Sequence, residues 1–309
     1  MQPIEILDLC LVAANKGAPD DVFVPRIFER GDYENMWTQN PEHVRATLQA
    51  ILLADHPDDG LEMLMKAGII RALFPELAAL KDLGGDAFND DEGLVHKNVW
   101  LHTKQVVKNS SAISHVRWAC LFHDIGKSRT RQFIDGEVTF HNHDVVGARM
   151  LDKLQKRMNL FDDKTFSIIR SLVLNHMRPH AYADDWTDSG CRRLVTDVGG
   201  YVNFHLLMAV SRADVTSKHA SKRAIAAERV RALSAHVCEL RIIDNKPKLP
   251  KRTMGIIIER GICGIGPGLN AIREGLEEMM FHGDLPIDKD AEWYAVEGTK
   301  LLKARKEGT

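Results

Sequence analysis

The fold and the chemistry of this chain both depend on Leu121-Phe122-His123-Asp124-Ile125-Gly126-Lys127. The stretch places a histidine and an aspartate directly after the apolar run that begins at Trp118. We therefore predict that His123 and Asp124 come at the end of a buried helix. An imidazole and a carboxylate that are buried without partners would be costly, whereas a bound metal cation takes both as ligands. The pair predicts a metal site, provided that the chain supplies further ligands.

Further candidate ligands lie on or at the end of separate predicted helices, as a metal site in a helical bundle requires. Imidazole and carboxylate ligands together suit Mn, Fe, Co, Ni or Zn, and Mg can still use the carboxylates. The arrangement that we expect places four residues on one divalent ion, with Asp124 bridging to a second ion. The four are His102, His123, Asp124 and Asp214, and the second ion would be held by His143 and His176.

Each candidate also has a simpler interpretation when it is taken alone. A histidine beside apolar neighbours, such as His102 or His176, is usually a core or surface residue. Asp214 could pair with Arg212 or Lys218. A single metal centre accounts for all six positions together, and we prefer it for that reason.

Other polar residues near the motif are candidates for catalysis and substrate binding. Two ions about 3.5–4 Å apart would hold a phosphate and activate a water, and Lys127 is placed to contact a phosphoryl oxygen. His141 could be an alternate ligand, a proton donor to the leaving group or a surface residue. Arg131 and Arg149 are either phosphate contacts or plain surface residues. The predicted catalytic set is thus Asp124, Lys127 and His141, and the substrate-binding set is Lys127, Arg131 and Arg149.

The apolar periodicity is helical nearly throughout, which predicts an all-α protein. Asn40-Pro41 has the N-cap and first-position proline that open a helix, and Gly136 to Phe140 could pair with Arg131 to Ile134 as one short hairpin. Residues 84–93 form an acidic loop that we take as a linker, although carboxylate clusters can also bind cations. Later helices are expected at about 96–109, 113–123, 143–158, 164–177, 189–198, 201–240, 252–260, 267–281 and 288–304.

Composition is that of a globular protein of the cytoplasm. The 309 residues are 44% hydrophobic and 27% charged, and the five cysteines show no CxxC spacing, so we expect reduced thiols. Acidic residues interrupt the apolar run from Ile6 to Ala14, which excludes a signal peptide or a membrane span there. The net charge of −2 argues against a chain that coats nucleic acid along its whole surface. Residues 215–252, however, carry an excess of lysine and arginine that either meets a polyanion or forms a solvated helix face.

The succession of His102, His123-Asp124 and Asp214 resembles the H…HD…D pattern of the HD superfamily of metal-dependent phosphohydrolases. A closer resemblance is to the HD domain of bacterial CCA-adding tRNA nucleotidyltransferases, and it covers about residues 37–305. It implies a helical fold in four parts: an N-terminal extension (1–36), a helical neck (37–92), the HD domain (93–245) and a helical tail (246–309). The motifs that carry it are His102-Thr103, His123 to Lys127 with Thr130-Arg131, Thr139 to Ala148, Asn175-His176-Met177, Asp188-Ser189 with Arg192-Arg193-Leu194, and Arg212-Ala213-Asp214, flanked by Pro41 to Arg45, Gly60 to Leu77 and Gly264 to Leu269.

The resemblance does not extend to the catalytic head of that family. The 36 residues before the neck contain no strand-borne carboxylate pair, so we do not expect this chain alone to add nucleotides. What the resemblance implies is metal-dependent hydrolysis of 2′,3′-cyclic phosphodiesters and 2′-nucleotides, with phosphatase activity, on a nucleotide or an RNA terminus such as a tRNA 3′ end.

Two other functions stay open at this point. The neck, the basic residues after Asp214 and the tail could instead hold tRNA-like RNA, either alone or as partner of a separately encoded nucleotidyltransferase head. Alternatively, the HD chemistry could act on a free nucleotide, such as a deoxynucleotide or an alarmone.

Overall fold

The computed structural model of the protein describes residues 2–18, 28–83, 98–134, 137–217 and 219–307, with the backbone alone at residues 137 and 304–307. Its regular structure is helical apart from one two-stranded antiparallel hairpin, which confirms the predicted all-α fold class. The acidic loop predicted at 84–93 lies outside the described residues. None of the described helices combines the length and the apolar character that a membrane crossing requires.

The chain divides into two units, Met1–His236 and Val237–Thr309. The unit boundary comes before the domain limit that we expected at residue 245, and the four-part division stays a prediction. The first unit contains α1 (Pro3–Lys16), α2 (Arg30–Gln39), α3 (Pro41–Leu53), α4 (Pro57–Lys66), α5 (Ile69–Leu73), α6 (Pro75–Ala78), α7 (Val99–Asn109), α8 (Ser114–Phe122), α9 (Lys127–Thr130), β1 (Gln132–Ile134), β2 (Glu137–Thr139), α10 (His143–Met158), α11 (Asp163–Asn175), a 3₁₀ helix (Arg178–Ala181), α12 (Asp188–Asp197) and α13 (Tyr201–Ala213).

The second unit has its own apolar core. Helix α14 (Ala220–Asp244) begins in the first unit and ends in the second, where it is followed by α15 (Thr253–Glu259), α16 (Pro267–His282) and α17 (Ala291–Glu307). Helix α17 packs against both α15 and α16. The side chains that these three helices and the intervening loop bury together are Ile256, Ile257, Ile272, Leu276, Met280, Leu285, Tyr294 and Ala295.

Helix α8 lies at the centre of the first unit, and every side chain from Val116 to Phe122 is buried. It packs against α3, α7, α11 and α13. The buried guanidinium of Arg117 donates to the carbonyl oxygens of Leu52, at 2.7 Å, and Ser110, at 3.1 Å. Because these carbonyls lie at the carboxyl ends of α3 and α7, the arginine ties both helix ends to α8. The end of α8, where the His-Asp pair follows, is thereby fixed inside the bundle.

A tight approach between backbones brings the end of α8 to the start of α10. A Cβ atom at Gly126 would lie 2.0 Å from the carbonyl oxygen of His143, so this position accepts only glycine without a shift of the backbone. The hairpin formed by β1 and β2 connects the two regions and pairs Gln132 with Thr139 and Phe133 with Val138. The hairpin predicted near residues 131–140 is therefore present.

The single helix predicted over 201–240 is wrong. Helix α13 ends at Ala213, and α14 begins only at Ala220. Asp214 and Thr216, in the interruption, both contact His102 through their side chains. The apolar periodicity continues on both sides of the break, so it could not show a break that depends on these tertiary contacts.

Candidate metal centre

The six residues proposed as metal ligands come from five places in the sequence and meet inside the first unit. His102 lies on α7, the His123-Asp124 pair directly follows α8, and His143 is the first residue of α10. His176 directly follows α11, and Asp214 directly follows α13. All are buried except Asp214, whose side chain is 15% exposed. Helix ends suit this purpose because the chain there can turn a side chain inward.

The first ligand group consists of His102, His123, Asp124 and Asp214. The Nε2 atoms of His102 and His123 are 3.2 Å apart, and Asp124 Oδ2 lies 3.3 Å and 3.2 Å from them. Asp214 Oδ1 lies 3.0 Å from His102 Nε2 and 3.6 Å from His123 Nε2. Two imidazole nitrogens and two carboxylate oxygens therefore surround one point.

The second ligand group consists of Asp124, His143 and His176. The Nε2 atoms of the two histidines are 3.2 Å apart, and Asp124 Oδ1 lies 3.3 Å from His143 Nε2. Asp124 thus directs one carboxylate oxygen toward each group. Lys127 Nζ lies 2.6 Å from Asp124 Oδ2, at the edge of the first group.

Backbone carbonyls fix the orientation of three of the histidine rings. The Nδ1 atoms of His123, His143 and His176 lie 2.7, 2.9 and 2.7 Å from the carbonyl oxygens of the residues three positions earlier. An Nδ1–H that donates to a carbonyl leaves Nε2 with its lone pair, the form that binds a metal. In the neutral rings of His143 and His176, two lone pairs then face each other, which is unfavourable unless a cation lies between them.

The donor spacing fits a metal ion. Ligands about 2.0–2.2 Å from one ion lie roughly 2.8 to 3.6 Å apart in octahedral or tetrahedral geometry. The donor-to-donor distances given above fall between 3.0 and 3.6 Å. A mixed set of imidazole nitrogens and carboxylate oxygens is also the donor set of divalent transition metals. The residues present are thus suited to one or two such ions.

The electrostatics of the centre favour the ligand forms of Asp124, His143 and His176, whereas the carboxylates of Asp124 and Asp214 outweigh burial and raise the pKa of His123. Burial alone would raise the pKa of Asp124, but the charges of His123 and Lys127 outweigh it and hold that pKa well below its usual range. Burial lowers the pKa of His176 to about 4, and His123 adds to the effect. Burial also lowers the pKa of His143. At neutral pH the carboxylate is therefore ionised and these two imidazoles are neutral, as metal binding requires.

Comparison with known proteins agrees with this geometry. Residues 97–245 match the model of the HD domain, and this match spans all six candidate ligands. The chain carries an HD domain. HD domains bind divalent metals and belong to a superfamily of metal-dependent hydrolases. Residues 41–81, which contain α3 to α6, match a second model, described as "Probable RNA and SrmB- binding site of polymerase A".

The curated relatives resemble the HD domain and the region before it. An A-adding tRNA nucleotidyltransferase of Deinococcus radiodurans is 32% identical over 121 residues, which cover 38% of this chain and 28% of the relative. A CC-adding tRNA nucleotidyltransferase of Thermus thermophilus is 33% identical over 35% of this chain and 25% of its own length. A multifunctional CCA protein of Pasteurella multocida is 28% identical over 44% and 32%. The chain thus spans a third of these relatives or less.

Two residues near the HD-domain cluster were not among the sequence candidates. His180 Nε2 lies 3.5 Å from Asp214 Oδ2, and Thr216 Oγ1 lies 2.9 Å from His102 Nδ1. The four-residue spacing from His176 to His180 could have suggested the former. No spacing points to Thr216, because its contact depends on the break between α13 and α14.

Three of the sequence candidates lie on the surface of the HD domain. His141, Arg131 and Arg149 are exposed, and within the described residues no hydrogen bond or ion pair joins them to either ligand group. Arg131 instead lies over the ring of Phe133, at 5.0 Å. Of the predicted substrate-binding residues, the structure brings only Lys127 to the cluster, and all these roles stay predictions.

Proposed function

We propose that this HD domain hydrolyses a phosphoester of a nucleotide or of an RNA terminus, with the activity of a 2′,3′-cyclic phosphodiesterase, 2′-nucleotidase or phosphatase. The observation that carries the proposal is the pair of buried ligand groups that share Asp124, with Lys127 at their edge. A purely structural histidine cluster would not need two carboxylates among its buried donors and a lysine at its edge.

The residues of the cluster have separate tasks in this proposal. His102, His123, Asp124 and Asp214 would hold one divalent ion, and His143 and His176, with Asp124, would hold a second. Bound divalent ions would polarise a phosphoryl oxygen and make a water more acidic. Lys127, whose side chain is 20% exposed, offers its ammonium to a phosphoryl oxygen that approaches from solvent. The ion pair with Asp124 fixes the position of that ammonium.

Support for a nucleotide or RNA terminus as the substrate comes from the comparisons. The relatives are named for tRNA nucleotide addition, and the second family match is named for RNA binding. Neither name states what the HD domain itself hydrolyses. The separate nucleotidyltransferase subunit considered from the sequence has no support in these comparisons, and we do not propose it.

The test is hydrolysis of a panel of 2′,3′-cyclic nucleotides, 2′- and 3′-nucleotides, deoxynucleotides and an alarmone, each with Mn, Co, Ni, Zn or Mg. We expect turnover of the cyclic or 2′-phosphate substrates with a transition metal. His123→Ala and Asp124→Ala should abolish it, and His205→Ala, a surface change on α13, should not. Absence of turnover on every substrate would reject the proposal, and turnover confined to deoxynucleotides or the alarmone would favour the free-nucleotide alternative.

RNA binding without hydrolysis is the second candidate, because of the match over residues 41–81. It predicts tRNA binding whose affinity falls steeply with salt concentration. His176→Ala should leave that affinity unchanged if the neck carries the binding. Anisotropy titrations of labelled tRNA between 50 and 200 mM salt, the range over which such contacts weaken most visibly, separate the two candidates.

A further inference from the structure

The hairpin between α9 and α10 presents an apolar surface to solvent. All three side chains of β1 are exposed, with Phe133 at 67% and Ile134 at 43%. A single exposed apolar residue needs no explanation. Phe133 differs from such a residue in two respects, which are the position of its hairpin beside the candidate metal centre and the cation next to its ring.

Both ends of the hairpin lead to residues that contact candidate metal ligands. Strand β1 follows α9, whose first residue, Lys127, contacts Asp124. Strand β2 leads into Phe140, whose carbonyl oxygen accepts from His143 Nδ1 and whose ring lies 5.5 Å from Lys127 Nζ. Phe133 pairs with Val138, so it lies on the second pair of the ladder from these ends. At about 3.4 Å per strand residue, Phe133 lies two residues, or roughly 7 Å, along the strand from Arg131.

The ring of Phe133 is combined with a cation. The guanidinium of Arg131 lies 5.0 Å from its centroid. Exposed aromatic rings and arginine planes are the surfaces on which proteins stack unpaired bases, and such stacking tolerates any base. The positive charges of Arg131 and Lys127 also favour an anionic ligand over an apolar protein segment. A surface made of one ring and one guanidinium suits one base rather than a protein partner.

We propose that Arg131 and Phe133 form a nucleobase platform, on which the base of the substrate nucleotide stacks while its phosphate lies at Lys127. The position of the phosphate rests on the proposed function. The platform gives the site a preference for nucleotides over other phosphoesters without selecting one base.

The test compares Phe133→Ala with Ile134→Ala, since alternation along the strand directs the two side chains to opposite faces. Equilibrium titration of the metal-free protein measures binding of 2′-AMP and of glycerol 2-phosphate, which has no base. Base stacking is worth about 1–3 kcal/mol, so Phe133→Ala should weaken 2′-AMP binding about 5- to 140-fold. The same substitution should leave the affinity for glycerol 2-phosphate unchanged. Phe133→Trp should retain binding of 2′-AMP, and Ile134→Ala should affect neither ligand.

Three results would overturn the platform: equal affinity of the wild type for both ligands, equal weakening of both by Phe133→Ala, or the same loss in Ile134→Ala. Because binding is measured without turnover, these results are separate from failure of the proposed function. Base-dependent binding without hydrolysis under any metal would reject the function and keep the platform. Hydrolysis of 2′-AMP and of glycerol 2-phosphate with equal KM would keep the proposed function and reject the platform.

Discussion

Asp124 has a special position among the residues of the cluster, since its two oxygens face different ligand groups. Asp124→Asn keeps the shape of the side chain but removes the charge, so we expect metal affinity to fall by more than about 100-fold, the upper end of the cost of losing an outer partner. His143→Ala should weaken only the second group. The two variants are compared by the amount of bound metal per chain, measured by mass spectrometry after gel filtration. Full metal content in Asp124→Asn would contradict the shared role, and His205→Ala is the control.

The cysteines differ in their expected reactivity. Burial raises the pKa of both Cys10 and Cys120 to about 12, so their thiolates are almost absent at pH 8, and the thiolate is the reactive form. Cys238 is exposed. We expect a disulfide reagent such as DTNB to label Cys238 rapidly in the folded protein, and Cys10 and Cys120 only after unfolding. Peptide mapping identifies the labelled sites, and rapid labelling of Cys120 would show that α8 opens.

The six candidate ligands could be selected from the sequence because residue type carries most of the information. A single histidine that directly follows an apolar helix, such as His176, is usually a core or surface residue, but one metal centre accounts for all six positions together. Their binding of metal stays a prediction, but the structure brings them together. Thr216 could not be selected, because a threonine after a helix is ordinary and only its contact with His102 distinguishes it.

At the level of elements, the junction of α9 with α10 depends on Gly126. A Cβ atom there would lie 2.0 Å from a backbone oxygen, which no side-chain rotation can relieve. Gly126→Ala should therefore destabilise the fold by at least the 1–3 kcal/mol typical of overpacking, and should weaken metal binding at the second group. Urea unfolding measures the change. Gly31→Ala, on α2 with nothing within 4 Å of the added atom, should instead stabilise by about 0.4–1 kcal/mol. An unchanged free energy of unfolding in Gly126→Ala would contradict the close approach of the two backbones.

The carboxyl ends of α3 and α7 depend on Arg117. Arg117 is buried, and its guanidinium donates from separate nitrogens to the carbonyl oxygen of Leu52 at the end of α3 and to those of Ser110 and Ser111 after α7. Lysine has one nitrogen and cannot reach both helix ends, so Arg117→Lys should cost about 1.5–3 kcal/mol, the loss of a charged hydrogen bond. The free energy of unfolding in urea measures it. The same change at the exposed Arg71 should be nearly silent, and equal small effects at both positions would show that Arg117 does not hold the helices together.

For the molecule as a whole, the sequence predicted the fold class but not the break after α13. The all-α character follows from periodicity along the entire chain, and α10 (His143–Met158) has the limits that were expected. The separation of α13 from α14 depends on contacts of Asp214 and Thr216 with a histidine on α7. Local pattern cannot contain that information, because the partner lies more than a hundred residues earlier in the chain.

Metal binding should be coupled to the stability of the first unit, since the candidate ligands come from α7, α10 and the residues that follow α8, α11 and α13. An ion that binds only the folded state stabilises it by about 2.7 kcal/mol at 100 times its Kd. We expect added Mn or Ni to raise the Tm of the chain and a chelator to lower it, as measured by calorimetry.

The coupling of metal binding to stability is tested with variants that remove a candidate ligand but keep the fold. In Asp214→Asn and His176→Ala the shift in Tm with metal should shrink, whereas His205→Ala should keep the full shift. Because all six candidate ligands lie in the first unit, a separate unfolding transition of residues 237–309 should not move with metal. A shift of equal size in all these variants would place the stabilising ion outside the two ligand groups.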